Sequence, residues 1–154
     1  MSLIYSYLNY CNIIWGGACN SVLQPIYILQ KKAIRLISNS HYLEHTAPLF
    51  KSLELLNIYQ IFKLNCLILV HKCTKNSYFP EFKKKLLNNY SIHSYQTRTN
   101  NLLRLPFLRL KLCQKSYLYI SIKLWNDINE DIKNMNSFIT FKKKVKILLI
   151  ANKI

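Results

Sequence analysis

The chain has 154 residues, a hydrophobic fraction of 51% and a formal charge of +16, from 22 Lys and Arg against 6 Asp and Glu. That length suits one domain or two small helical subdomains around a buried core, and two glycines with four prolines leave too few tight turns for an all-β sandwich. The shortage of acids excludes a surface whose charges pair among themselves, so the compact state repels itself unless a polyanion lies against it.

Residues 3–15 are apolar, with Tyr5, Tyr7 and Tyr10 interleaved. They read as a first helix ending near Trp15, with Gly16 or Gly17 as its left-handed C-terminal cap. Ser21 reads as the N-cap of the next helix, with Pro25 near its start. From there Leu23, Ile26, Leu29 or Gln30, Ala33, Ile34 and Ile37 recur at spacings of three and four, which describes one buried face. Lys31, Lys32 and Arg35 fall in the later turns and complement the negative end of the helix dipole. Asn39-Ser40-His41 breaks the pattern, and Thr46 is expected to cap a short helix from about Pro48 to Leu56. A longer helix is predicted from Ile58 to about Lys75. Its stripe is Ile58, Ile61, Phe62, Cys66, Leu69, Val70 and Cys73, with Gln60, Lys63, His71 and Lys75 off it. A short basic helix, Phe82 to Leu87, is expected next. The polar, aromatic segment that follows, "NNYSIHSYQTRTNNLLRLPF", has no period and reads as a long loop, functional or disordered, and as the best candidate boundary between two subdomains. "KSYLYISIKLW" alternates like a strand and also fits one helical face, and helix is favoured. A last helix is capped by Ser137, with Phe138, Phe141, Val145 and Leu148 inward and Lys142, Lys143 and Lys146 outward.

The expected architecture is therefore all-α, small helical bundles with a long irregular basic segment between the two halves. Its parts are residues 1–76, a basic irregular linker over 77–112, and a C-terminal helical region over 113–154. Seven of the 22 Lys and Arg lie in residues 1–77 and fifteen in 78–154, so the second half is the more basic.

Catalytic chemistry finds little to work with. Metal-assisted phosphoryl transfer needs clustered carboxylates. Asp127, Glu130 and Asp131 form the one cluster, in "WNDINEDIK". On a continuous helix Asp127 and Asp131 share a face, but an acidic first turn complementing a helix dipole is the simpler account. His41 and His45 have HxxxH spacing without a third ligand, and His71 and Cys73, at i and i+2, point apart. Two adjacent glycines build no phosphate-cradling loop, and there is no GxSxG elbow. No metal and no cofactor is expected. Cys11, Cys19, Cys66, Cys73 and Cys113 are odd in number and include no CxxC pair, and the first residues lack a secretory pattern. Reduced thiols in an intracellular protein, nuclear or cytoplasmic, are the expectation. Apolar runs such as Cys66–Val70 fall far short of the roughly 18 residues that span a bilayer.

The basic groups are the stronger signal. Lys83, Lys84 and Lys85 form one triplet and Lys142, Lys143 and Lys144 another, with Lys146 close behind. Arg98, Arg104, Arg109 and Lys111 run through and past the irregular segment with Tyr90, Tyr95 and Phe107 among them. Cations neutralise phosphates, and aromatic rings stack on unpaired bases. The competing account is a solvated lysine face swollen by an AT-rich coding sequence. It explains the lysines better than the missing acids. A basic helix on a membrane surface accounts for Lys142 to Lys146 equally well, but not for the arginines.

Several landmarks occur in a recognisable order: "YCNIIWGGA", "LQKKAIRLI", "PLFKSLELLNI", Pro80-x-Phe82, "TRTNNLLRLP", "KLWNDI" and "SFITFKKKVK". Over nearly the whole chain this order resembles the region downstream of the polymerase core in LINE-type (non-LTR, jockey-like) retrotransposon reverse transcriptases. The resemblance implies that residues 1–76 are a thumb-like helical region. Gln30, Lys31, Lys32 and Arg35 would then face the backbone of a template–primer duplex. The family's aromatic-x-Asp-Asp catalytic motif is absent, as are fingers, endonuclease and metal-knuckle tail. The implied function is a non-catalytic, nucleic-acid-binding piece of an RNA-directed DNA polymerase. Its partners would be RNA or DNA backbone, including an RNA–DNA hybrid, and the palm and fingers of a full-length parent. The alternative is a structural or interaction protein, a decayed retroelement remnant whose charge is compositional.

Overall fold

The computed structural model describes residues 2–76, 79–91 and 98–152. Among these the regular structure is helical, as expected. The helices are α1 Ser2–Asn9, α2 Asn12–Trp15, α3 Asn20–Ile37, α4 Thr46–Ser52, α5 Ile58–Asn76, α6 Pro80–Lys83, α7 Tyr117–Asp127, α8 Glu130–Lys133 and α9 Phe138–Ile150. The ambiguous "KSYLYISIKLW" is α7: Ser116 accepts a hydrogen bond from the Tyr119 N–H, and Ile122 and Trp125 turn inward.

The molecule is built around α5. It packs against α7 and α9, and also touches α1, α2, α3 and α6. Its start is fixed by a reciprocal cap: Asn57 Oδ1 accepts from the Gln60 N–H at 2.9 Å, and Gln60 Oε1 accepts from the Asn57 N–H at 3.1 Å. Two orphan donors of the first turn are thus satisfied. The Gln60 amide also donates to the Leu149 carbonyl at 2.8 Å, tying the start of α5 to the end of α9. With neighbours on several sides, α5 buries more than a stripe. Leu64 and Leu67 join Ile61, Cys66, Val70 and Cys73 in a core shared with Ile122, Trp125, Phe141 and Val145. One core therefore runs from α5 into the C-terminal helices α7, α8 and α9.

Several local expectations change. His71, placed off the stripe, is buried: its ring stacks on Phe141 with centroids 4.1 Å apart, and its Nε2–H donates to the Met135 carbonyl at 2.9 Å. The first helix is interrupted, because Cys11 takes a left-handed conformation, φ 47, between α1 and α2. Gly16 is right-handed, φ −67, so it is no left-handed cap. Its requirement is space: a Cβ there would stand 2.5 Å from Phe62 Cδ2 and 2.6 Å from the Asn12 carbonyl. A Cβ on Gly17 would collide with the Lys115 carbonyl. Helix α3 starts at Asn20, so Ser21 lies inside it rather than capping it, and His45, not Thr46, occupies the cap position of α4. The short basic helix ends at Lys83 instead of reaching Leu87. On α9 the buried row is Phe141, Val145 and Leu149, with Phe138 and Leu148 half-buried.

Candidate nucleic-acid interface

The irregular segment is organised by one short pairing. Asn88 and Leu103 form an isolated antiparallel bridge, Arg104 N–H donates to the Leu87 carbonyl at 2.7 Å, and Asn89 N–H donates to the Leu102 carbonyl at 3.1 Å. Leu103 is buried and held from α7: the Asn126 amide donates to its carbonyl at 2.8 Å and accepts from its N–H at 3.0 Å. A planar amide that satisfies both backbone groups of one residue replaces the strand partner the segment lacks.

This pairing brings together basic residues about twenty positions apart in sequence. A groove of about 490 Å³ opens where they meet. Lys84, Lys85 and Leu87 line it from the segment after α6, and Arg104, Pro106 and Phe107 from the segment after the bridge. Its floor is Leu118 and Ile122, one turn apart on α7. The volume lies within the roughly 300–1,000 Å³ of small-ligand clefts. Lys84 holds Glu81 at 2.7 Å in an ion pair whose side chains are 71% and 81% exposed. Such an exposed pair contributes about 0–1 kcal/mol.

The other predicted site residues are dispersed. Gln30 must be corrected: it is buried, its amide donates to the Leu56 carbonyl at 2.9 Å, and its Oε1 accepts from the Ile58 N–H at 3.0 Å. Its polar atoms serve the link between α4 and α5, so it faces no ligand. Lys31 and Arg35, one turn apart, lean on local aromatics: Lys31 Nζ is 4.3 Å from the Tyr27 ring centroid, and Arg35 Cζ is 6.0 Å from that of Tyr42. Arg35 also donates from Nε to the Glu44 carbonyl at 3.0 Å, while Lys32 is exposed. Lys142 and Lys146 border a separate recess beside Glu54, Tyr5 and Leu64, and Lys143 is exposed on α9. Lys83, Arg98, Arg109 and Lys111 are exposed and do not line the groove. Tyr95 and Thr97 lie outside the described residues.

No protein-family model, no curated protein and no solved structure matches the chain.

Carboxylate chemistry is not assembled at the one acidic cluster. Helix α7 ends at Asp127 and α8 begins at Glu130, so Asp127 and Asp131 share no helix. Glu130 instead pairs with Lys133 at 3.0 Å within the acidic first turn of α8. Among the described residues no three His, Cys, Asp or Glu side chains gather as metal ligands. Burial pushes the Cys66 thiol from the ordinary 9.0 up to about 11, which disfavours the reactive thiolate further. No described helix is long and apolar enough to cross a membrane. Pro106, Leu118 and Ile122 were not legible as site residues, because tertiary contacts bring them beside the lysines: the Asn88–Leu103 pairing for the Pro106 segment and the stacking of Phe82 on Tyr117 for α7.

Proposed function

We propose that this chain binds nucleic acid without catalysing a reaction, gripping backbone phosphates through Lys and Arg, as the thumb and post-thumb part of the LINE-type reverse transcriptase that it resembles. The observation that carries the reading is the groove, where Lys84, Lys85 and Arg104 meet around an apolar floor. The charge balance supports it. Even if each of the 6 acids held one cation, the formal +16 would be left for an outside anion. Lys32, Arg98, Arg109, Lys111 and Lys143 extend the cationic surface beyond the groove.

The parent polymerase is part of the same proposal. Leu3 and Tyr7 on α1, Tyr10 in the turn that follows it and Ile14 on α2 are 72–79% exposed. Exposed apolar side chains this close in sequence suit a contact with another body where they form one patch. In this reading the palm and fingers of the full-length protein cover it.

Counterion release gives the test. Three phosphate contacts on a single strand predict a slope of log K against log salt of about −2 from the groove alone, and the outer cations steepen it. Fluorescence anisotropy with labelled RNA, DNA and RNA–DNA hybrid measures this slope. Absent binding at low ionic strength, or affinity indifferent to salt, sinks the reading. Polymerase activity of the chain alone overturns its non-catalytic half.

A further inference from the structure

We infer that the groove seats an unpaired base against Phe107 with its flanking phosphates on Lys84, Lys85 and Arg104, so that the chain prefers single-stranded nucleic acid to duplex. This rests on the nucleic-acid reading above and adds the strandedness of the ligand. Phe107 is 88% exposed, the most exposed large apolar side chain among the described residues. Its exposure is built into the backbone. On one side Asn126 clamps Leu103 through both its backbone groups, and on the other Gln114 Nε2 donates to the Leu108 carbonyl at 2.7 Å. The ring is thus displayed from a segment tied down at both ends, beside an open recess with an aliphatic floor.

The chemistry selects the occupant. A duplex offers phosphates, but its base faces are already stacked on one another. An unpaired base offers a free π-face, and every base has one, so stacking on a phenyl ring carries no sequence requirement. Cations contributed from two separate chain segments suit a backbone that runs past the ring. An acidic peptide supplies charges but a flat face only where it carries an aromatic side chain, whereas every nucleotide carries one. An anionic lipid surface supplies charge and apolar depth, and it enters the test as a competing result.

The full chain is titrated against three probes: oligo(U) of about 16 nucleotides, the long end of single-strand site sizes, an RNA duplex of the same length, and phosphatidylserine vesicles. Oligo(U) is expected to bind more tightly than the duplex. Phe107→Ala is expected to weaken oligo(U) about tenfold, within the range for losing one base–aromatic stack, and to leave the duplex unchanged. Phe107→Tyr restores the preference. Because the ring is exposed, both variants keep the wild-type circular dichroism spectrum and melting temperature. If Phe107→Ala changes neither ligand, or both equally, while Lys85→Gln with Arg104→Gln still flattens the salt dependence, the base seat is wrong and phosphate binding stands. Binding to vesicles that Phe107→Ala abolishes, with no binding to oligo(U) or duplex, overturns both readings.

Discussion

Gln30 sits where two readings of one residue meet. Its spacing put either it or Leu29 in the buried row of α3, and the resemblance turned it towards a nucleic-acid backbone. Burial wins, because the link between α4 and α5 has a carbonyl at Leu56 and an N–H at Ile58 that no helix satisfies. Gln30→Leu keeps the volume and leaves both groups unpaired. It is expected to cost about 1–3 kcal/mol per unsatisfied group, read as a lower urea midpoint, with unchanged nucleic-acid affinity. Lost affinity at unchanged stability would return Gln30 to the interface. Gly16 and Gly17 show the complementary limit. Composition marks them as special, and their conformation is ordinary. What they provide is room for Phe62 and for the Lys115 carbonyl, and close approach between distant residues leaves no local pattern to read.

At the scale of elements, legibility follows periodicity. α5 and α9 were readable because apolar spacing repeats over several turns, whereas the α7 segment alternates like a strand as well as fitting a helical face. The break between α1 and α2 was not readable, since a left-handed cysteine carries no compositional marker. The Asn88–Leu103 bridge was not either, because one pair has no alternation to detect. That bridge nevertheless assembles the candidate site, and α7 supports it through Asn126. Asn126→Ala removes two hydrogen bonds to Leu103. The expected cost is about 1–3 kcal/mol in thermal or urea unfolding, with weaker oligonucleotide binding. The weakening follows from loosening the segment that carries Arg104 and Phe107, although Asn126 itself does not line the groove. Wild-type affinity in this variant would mean that the bridge needs no support from α7.

At the scale of the whole molecule, charge sets the behaviour. A formal +16 on an 18.3 kDa chain makes the compact state self-repelling. Added salt shortens the reach of that repulsion from about 30 Å at 0.01 M to about 10 Å at 0.1 M. Melting temperature is therefore expected to rise over this range, further in phosphate than in chloride, while oligonucleotide affinity falls. Differential scanning fluorimetry at graded salt checks the first trend, and a flat profile would show that the charges are too dispersed to matter. The all-helical class was legible from composition, but the closing of one core from α5 through α7 and α9 was not, because helix periodicity names a buried face without naming its partner. That closure governs how the protein is made. Between Asn76, the end of α5, and Ile150, the end of α9, the ribosome adds 74 residues, roughly 4–15 s of synthesis at about 5–20 residues per second. Through that interval α5 and the earlier helices α1 to α3 that touch it have been synthesised, while α7 and α9 are still being added. The face of α5 that receives Ile122, Trp125, Phe141 and Val145 is synthesised well before them, so the core closes only when the last helix has been made.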